Sequence, residues 1–504
     1  MDNLAHRYAA WKAPQEDRSV LLWPEPDELF ADARDNNASL ASAQATIQNT
    51  PLPELRRQLR RFLNIHDDRQ LVFATGHQSE LHHPGVWAKN LLIDAAATKT
   101  GGLAMHVAVD TDAPKHLSLR FPGYSRPFTD DPALVTAEWA QLIAPPTPAH
   151  LAALSDDIAA ADWPFAPAIH PLFDTCRRLS LKAEHLPHML TAALHEFDWS
   201  LGLRYSVLLA SPIWLSPPFL ALAHHLMANA DRFAADYNHG LRRYRERNGI
   251  RTPGRPMPEL AIKSDTSGSR CETAFWRDDQ TRGRRVRAWV ERSNDAAPWT
   301  LCFGEDCLEL DPSAPADVAA DRLIAFLRRH NLRIAPRALT LTMALRLLLA
   351  DQFVHGIGGG QYDQVTDEII ARHFGIDPPR FSVSTATLYW PTAAGRERTS
   401  IPRILQEGHR LKHSVLGPRK QELVAAIANA PRRSIERQHW FQQLQNELAS
   451  AAKRSEALMA WQEKLRGASA KVAEERATFD REIFYALQPG ERLSGLIQGY
   501  RAKF

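Results

Sequence analysis

Two short polar clusters hold the side chains best suited to chemistry: Gly76-His77-Gln78 and Asp110-Thr111-Asp112. A histidine in a glycine-containing turn can donate hydrogen bonds to an anionic group, helped by the dipole at the amino terminus of a following helix. Two aspartates separated by one residue can orient an amine, hold a hard cation or accept a proton. They can equally cap a following helix with Pro114 in its first turn, and both readings stand at this stage. His77, Asp110 and Asp112 are therefore the catalytic candidates, with Gly76 and Gln78 as ligand-binding neighbours. His82 and His83 lie close by, but Glu80 is the one carboxylate near them, and a metal set needs ligands at a defined geometry. No metal is expected. Ser211 lacks the Gly-x-Ser-x-Gly setting of a serine hydrolase.

These clusters need elements to position them. Leu71-Val72-Phe73-Ala74 is a short apolar run with the character of a buried strand, broken at Thr75-Gly76-His77-Gln78. A helical pattern resumes near Trp87, with Leu91, Leu92 and Ala95 on one face. After Gly101-Gly102 a second apolar run, His106 to Val109, ends at Asp110. Strand, turn, helix, strand and turn make one βαβ unit. Ligands of such sheets bind beyond the carboxyl ends of the strands, so the two polar clusters should face one place.

The chain around this unit divides by composition. Residues 1–130 hold amino-terminal helices and the first half of the core, and 131–200 a proline-punctuated helical insertion. Residues 201–250 supply a strand, Leu203 to Ala210, and one long helix from Pro218 to Asn248. Short β-like runs separated by charged or glycine-containing turns fill 251–310, and 311–400 return to the core. In that return, Phe353-Val354 leads into a glycine-rich turn, Gly356 to Gly360, before a helix from Tyr362 to Phe374. The glycine run lacks the Lys-Ser/Thr of a P-loop, so phosphate contact and tight packing both remain open. In residues 401–504, Leu444, Ala451, Leu458, Leu465, Val472 and Phe479 keep a seven-residue spacing. That spacing predicts a single helix over 434–480 in a helical coiled coil, pairing with Leu405–Ala430 and presenting an apolar stripe to a second subunit.

Composition excludes several classes. Over 504 residues the net charge is +3 and arginines are dispersed, which points to no nucleic-acid partner. No apolar run approaches the ~20 residues of a membrane helix, and the first residues lack the apolar core of a signal peptide, so a cytoplasmic location is expected. The four cysteines, Cys176, Cys271, Cys302 and Cys307, match no zinc or redox spacing. Cys302 and Cys307 are expected as reduced thiols, a hairpin disulfide being the alternative.

Gly76-His77-Gln78, followed by Leu81, Pro84-Gly85 and Lys89, resembles the Gly-Gln-Gln…Leu…Gly-Pro…Lys signature of the cysteine-adding enzymes of bacillithiol biosynthesis, the BshC family. Asp110-Thr111-Asp112 falls where that family carries Asp-His-Asp. Pro336-Arg337, the glycine run, His373-Phe374-Gly375-Ile376 and the stretch Pro379 to Thr387 follow in the family's order, and the tail from Ile483 to Tyr500 resembles its carboxyl terminus. Three differences stand out: His77 for Gln, Thr111 for His, and a shorter loop before Lys89.

The resemblance implies a Rossmann-like, nucleotidylyltransferase-like parallel-sheet core with inserted subdomains and a homodimeric carboxyl-terminal coiled coil. It places Lys89, Gly358, Gly359 and Gly360 beside the ligand and implies a ligase joining cysteine to the amine of a small-molecule substrate. Forming an amide requires an activated carboxylate, and a nucleotide such as ATP or ADP is the usual means. A non-catalytic ligand-binding or assembly protein and a nucleotidylyltransferase are the alternatives on the same fold.

Overall fold

The structure, a computed structural model, describes residues 11–121, 124–161, 163–266, 268–294, 296–391 and 401–504. Three expectations lie outside the described residues: the reading of residues 1–10, the turn at Pro122-Gly123 and the heptad side chain of Val472. The chain forms two units, residues 1–388 with 481–504, and residues 389–480.

The first unit is built on a mixed sheet of β1 (Val20–Trp23), β2 (Val72–Gln78), β3 (Leu103–Val109), β4 (Ser206–Leu209), β5 (Gln352–His355) and β6 (Phe381–Ala386). Their order is β1-β6-β5-β2-β3-β4. Neighbours are parallel except β1, which runs antiparallel to β6. Phe73, Ala74, Val107 and Val354 are all buried, as expected of strands covered on both faces. The register pairs Val72 with Leu103 and continues to Gln78 opposite Val109. The two polar clusters therefore do sit at adjacent carboxyl ends.

Two features of this sheet differ from the sequence reading. The expected break at Thr75-Gly76-His77-Gln78 is strand, because the parallel ladder to β3 extends through Gln78 regardless of side-chain polarity. The strand β1 was hidden among residues read as helical. It is fixed by pairing with β6, more than 350 positions away in sequence (386 − 20 = 366).

Three helices set up the carboxyl and amino ends. α1 (Pro26–Ala41) and α2 (Leu52–Phe62) are tied to the amino end of the sheet through Asp351, which immediately precedes β5. Its buried carboxylate accepts from Arg56 at 2.6 Å, Arg60 at 2.7 Å, Asn37 Nδ2 at 2.9 Å and the Val72 N–H at 2.7 Å. A buried charge is tolerable with that many donors, and removing it would strand two guanidiniums. α3 (Pro84–Thr100) joins β2 to β3. It starts earlier than Trp87 because Pro84 suits a first helical position and His83 Nδ1 accepts from the Gly85 N–H. It stops at Gly101, whose φ of 67° is left-handed. Almost all of α3 is buried, which explains its lack of a polar face.

The expected β region is an antiparallel sheet. Gly268–Asp279 pairs with Ile262–Asp265, Arg284–Arg292 and Leu332–Pro336, while Trp299–Phe303 and Asp306–Leu310 form a hairpin at one end. That hairpin overturns the expectation of reduced thiols: its register sets Cys302 opposite Cys307, Cα atoms 4.1 Å apart, and the two are disulfide-bonded. Spacing alone could not reveal that register. Helices Pro148–Ala160, His170–Ser180 and Leu186–Ser200 occupy the expected insertion. The single helix expected over 218–248 is two, Pro217–Ala228 and Ala230–Arg247, parted at Asn229 with φ −116° and ψ 37°.

The second unit is a helical hairpin. It begins with Tyr389 and contains α4 (Ile401–Ser414), α5 (Pro418–Asn429), α6 (Ile435–Arg454) and α7 (Glu456–Thr478). α4 packs on α7 and α5 on α6. The single helix expected over 434–480 is thus two. Ser455 sits where the heptad calls for an apolar residue; its backbone is extended (ψ 111°) and its Oγ accepts from the Leu458 N–H at 3.3 Å. Serine favours such caps over helix interiors. Leu444 and Leu458 are buried within the hairpin, as is Leu423 on the facing side. Trp461 Nε1 donates to the Ile404 carbonyl at 2.7 Å, and its ring lies so close to Gly408 that a Cβ there would overlap it.

Candidate functional site

From β2 the chain passes through α3 to β3 on one side, whereas β5, the neighbour on the other side, leads on to β6. The direction of strand addition reverses between β2 and β5. Crevices for ligands open at the carboxyl ends beside such a reversal. Gly76-His77-Gln78, Asp110 to Asp112 and His355-Gly356 are the residues at those ends.

The second turn of α3 places Lys89 there. Its side chain is buried, and Nζ donates to the Gly76 carbonyl at 2.8 Å. Burial pulls the ammonium down to about 7, against the attraction of Glu80. Glu80 is itself buried, which raises its carboxyl above the ordinary range although it accepts the Lys115 and His116 N–H groups at 2.8 and 3.1 Å. His77 Nδ1 lies 3.4 Å from Glu80 Oε1, and about a fifth of its side chain, 20%, stays exposed. Burial, then the Lys89 charge and nearby histidines, hold the His77 imidazole neutral well below its ordinary range. His82 is likewise pushed down, to about 4, chiefly by burial; its Nε2–H donates to the Gln78 carbonyl at 3.1 Å and its ring meets His77 edge-on at 5.2 Å. An amine balanced between its two charge states near pH 7, beside an acid of raised proton affinity, is a set suited to proton transfer.

The two aspartates part company. Asp110 is fully buried and accepts from the Ser211 N–H at 2.9 Å, the Ser211 hydroxyl and Gln141 Nε2 at 2.7 Å. It clamps the end of β3 to the chain leaving β4 and to the helical insertion. Asp112 is open: 44% of its side chain is exposed. It accepts Gln78 Nε2 at 2.9 Å and its neighbour's Ala113 N–H at 2.9 Å, and Arg285 stands 3.3 Å away. No helix begins at residue 113, so Asp112 is not a cap.

Arg285 belongs to a wall contributed by the antiparallel sheet. Asp278 holds Arg285 at 2.9 Å and Arg333 at 2.8 Å, and Arg333 donates in turn to Gln141. Arg337 pairs with Glu272 at 2.9 Å and lies 4.7 Å over the Trp276 ring. Sequence reasoning missed Glu80 as a partner of His77, and missed Gln141, Asp278, Arg285 and Arg333 altogether. The arginines and Asp278 carry no local signal, since in sequence they are ordinary charged strand residues.

The glycine run is not a turn. The helix Ile357–Phe374 begins inside it, with Gly356 as its amino-terminal cap. A Cβ on Gly359 would lie 2.9 Å from His355 Nδ1, and one on Gly360 2.5 Å from Val383 Cγ2, so these two are glycine for packing. Gly356 and Gly358 have nothing within 4 Å of where a Cβ would stand. His355 Nε2–H donates to Asp363 at 3.0 Å, fixing the ring beneath Gly359. Of the sequence candidates, Gly76, His77, Gln78, Lys89 and Asp112 share contacts at one place, and Asp110 adjoins them as a structural acceptor. Gly358, Gly359 and Gly360 open the helix after β5, the other strand of the reversal. Among the described residues, no group of three or more His, Cys, Asp and Glu is disposed to hold a metal. The chain matches no known protein-family profile and no characterised protein sequence.

Proposed function

We propose that the chain is an enzyme that joins an amine to a carboxylate at this strand-end site, a carbon–nitrogen ligase related in design to the cysteine-adding enzymes of bacillithiol biosynthesis. The observation that carries the reading is Lys89, an amine buried at the reversal of strand order with a proton affinity near neutrality. Asp112, open and oriented by Gln78, receives the substrate ammonium, and the Lys89, Glu80 and His77 set holds the proton it releases. Arg285 screens the Asp112 charge. A nucleotide would supply the activation of the carboxylate. Gly356 and Gly358, uncrowded at their α-carbons at the amino end of a long helix, suit the approach of an anionic group of that kind.

The same proposal takes the mixed sheet as a Rossmann-like core and the second unit as a coiled coil working in a cytoplasmic homodimer. No helix among the described residues is long and apolar enough to cross a membrane. Leu444 and Leu458 are used inside the hairpin, so the surface for a second subunit would draw on its exposed apolar side chains, Leu405, Val424, Ile435, Phe441 and Met459 among the described residues. Sedimentation of the full chain at micromolar concentration tests the dimer; a monomer removes it.

The ligase reading is tested by incubating the full chain with cysteine, an amino-sugar acceptor and ATP and following amide product by mass spectrometry, alongside thiol profiles of a strain lacking the protein. Absence of product together with an unchanged thiol profile would overturn it. The complete engagement of Asp110 favours a second reading, a core that binds its ligand without turnover. Calorimetric binding of the same compounds without product would select it.

A further inference from the structure

At the amino ends of the same strands, away from the proposed active site, lies a basin of about 900 Å³. It is framed by one face of α1, the loop leading into β2 at Leu71, and the last turn of α3. Four cationic side chains line it, Arg34, Arg69, Lys99 and Lys503, against two acidic side chains, Asp27 and Asp67. All four cations are exposed, and none has an ion-pair partner among the described residues. Elsewhere on this chain arginines are commonly paired, as Arg56 and Arg60 are with Asp351 at the neighbouring strand ends. The basin also has an apolar side, where Phe30 and Phe504 meet with ring centroids 5.4 Å apart.

Unpaired like charges around one concavity repel each other and raise the local concentration of counter-ions. The volume suits a small-molecule ligand, which typically needs roughly 300–1,000 Å³. The cations come from four separate stretches of chain, so one compact ligand with several negative groups can meet them together. Arginine forks match phosphate and carboxylate oxygens in pairs. We infer that this basin is a second binding site, for a small polyanion carrying at least two phosphate or carboxylate groups. It does not rest on the proposed ligase activity.

The test is titration calorimetry of the full chain at about 0.15 M salt, where exposed charges beyond ~8 Å are screened. Inorganic pyrophosphate is the phosphate probe and citrate the carboxylate probe, and whichever binds more tightly names the source. The expected result is saturable binding that weakens about tenfold or more in the Arg34→Glu, Lys99→Glu double variant, since reversing two rim charges lowers the net charge of the rim by four units. Asp27→Asn is expected to tighten binding, because it removes a rim carboxylate. All three changed residues are exposed, so unaltered circular dichroism should accompany each variant. No saturable heat with either probe, or undiminished affinity in the folded double variant, overturns the inference.

Discussion

Lys89→Met puts the proposed proton site to a quantitative test. The unfolded chain keeps its lysine protonated to about the ordinary 10.5, whereas the folded chain releases that proton at about 7. Between these values the unfolded state binds more protons, so unfolding free energy rises with pH across the window and the penalty for burying Lys89 fades. Each tenfold change in proton affinity is about 1.36 kcal/mol, so the penalty at pH 7 and below is roughly 5 kcal/mol and falls to roughly 1 near pH 10. Methionine fills similar space without the charge, but leaves the Gly76 carbonyl without the Lys89 donor, a loss of about 1–3 kcal/mol. The variant should therefore be more stable than wild type by about 2 kcal/mol at pH 7, with the advantage gone by pH 10. Hydrogen exchange of α3 peptides in urea, corrected for intrinsic rates, reads the first unit alone. A wild-type-minus-variant difference that does not move between pH 7 and pH 10 would refute the depressed proton affinity, and with it the observation on which the ligase reading stands. A lysine retained at such a destabilising position is most simply explained by use, and Lys89→Met should abolish product formation while raising stability.

Other substitutions probe separate contacts. Asp112→Asn and His77→Ala should each lower ligand affinity or activity; the melting transition should stay within about 1 kcal/mol of wild type for the open Asp112, and fall by about 1–3 kcal/mol for His77, of which only 20% is exposed; wild-type binding by calorimetry in both would remove the site. Asp198 is buried among Trp87, Tyr205 and Tyr485 donors at 2.5–3.0 Å, yet burial pushes it up to about 6. Its folded form binds the proton more tightly than the unfolded form, so stability should fall as pH rises from about 4 to 6, and Asp198→Asn should lack that slope in thermal melts. Gly360→Ala should destabilise by about 1–3 kcal/mol through its clash with Val383 and Trp11, whereas Gly358→Ala should be neutral or stabilising by up to about 1 kcal/mol; equal effects in calorimetric melts would contradict the packing account. Leu458→Asp should unfold the second unit locally, seen as loss of exchange protection over 401–478, rather than merely separate subunits.

The local elements of the core could be read directly from sequence. The runs Leu71 to Ala74 and His106 to Val109 are apolar because both sheet faces are covered, and Gly101 ends α3 because a left-handed residue was needed there. The juxtaposition of Gln78 with Asp112 followed from the βαβ pattern, since parallel strands joined by one helix must end side by side. What local pattern could not supply is anything that depends on a distant partner. β1 is a strand only through its pairing with β6; Cys302 meets Cys307 only through the hairpin register; Asp110 became a clamp because Ser211 and Gln141 arrive from other segments. The same holds for chemistry: lysine and histidine have near-ordinary proton affinities in water, and it is burial that lowers Lys89 against the pull of Glu80, and burial with the Lys89 charge that lowers His77. Residue type and spacing are local quantities, whereas desolvation and charge proximity exist only once the chain has closed around them.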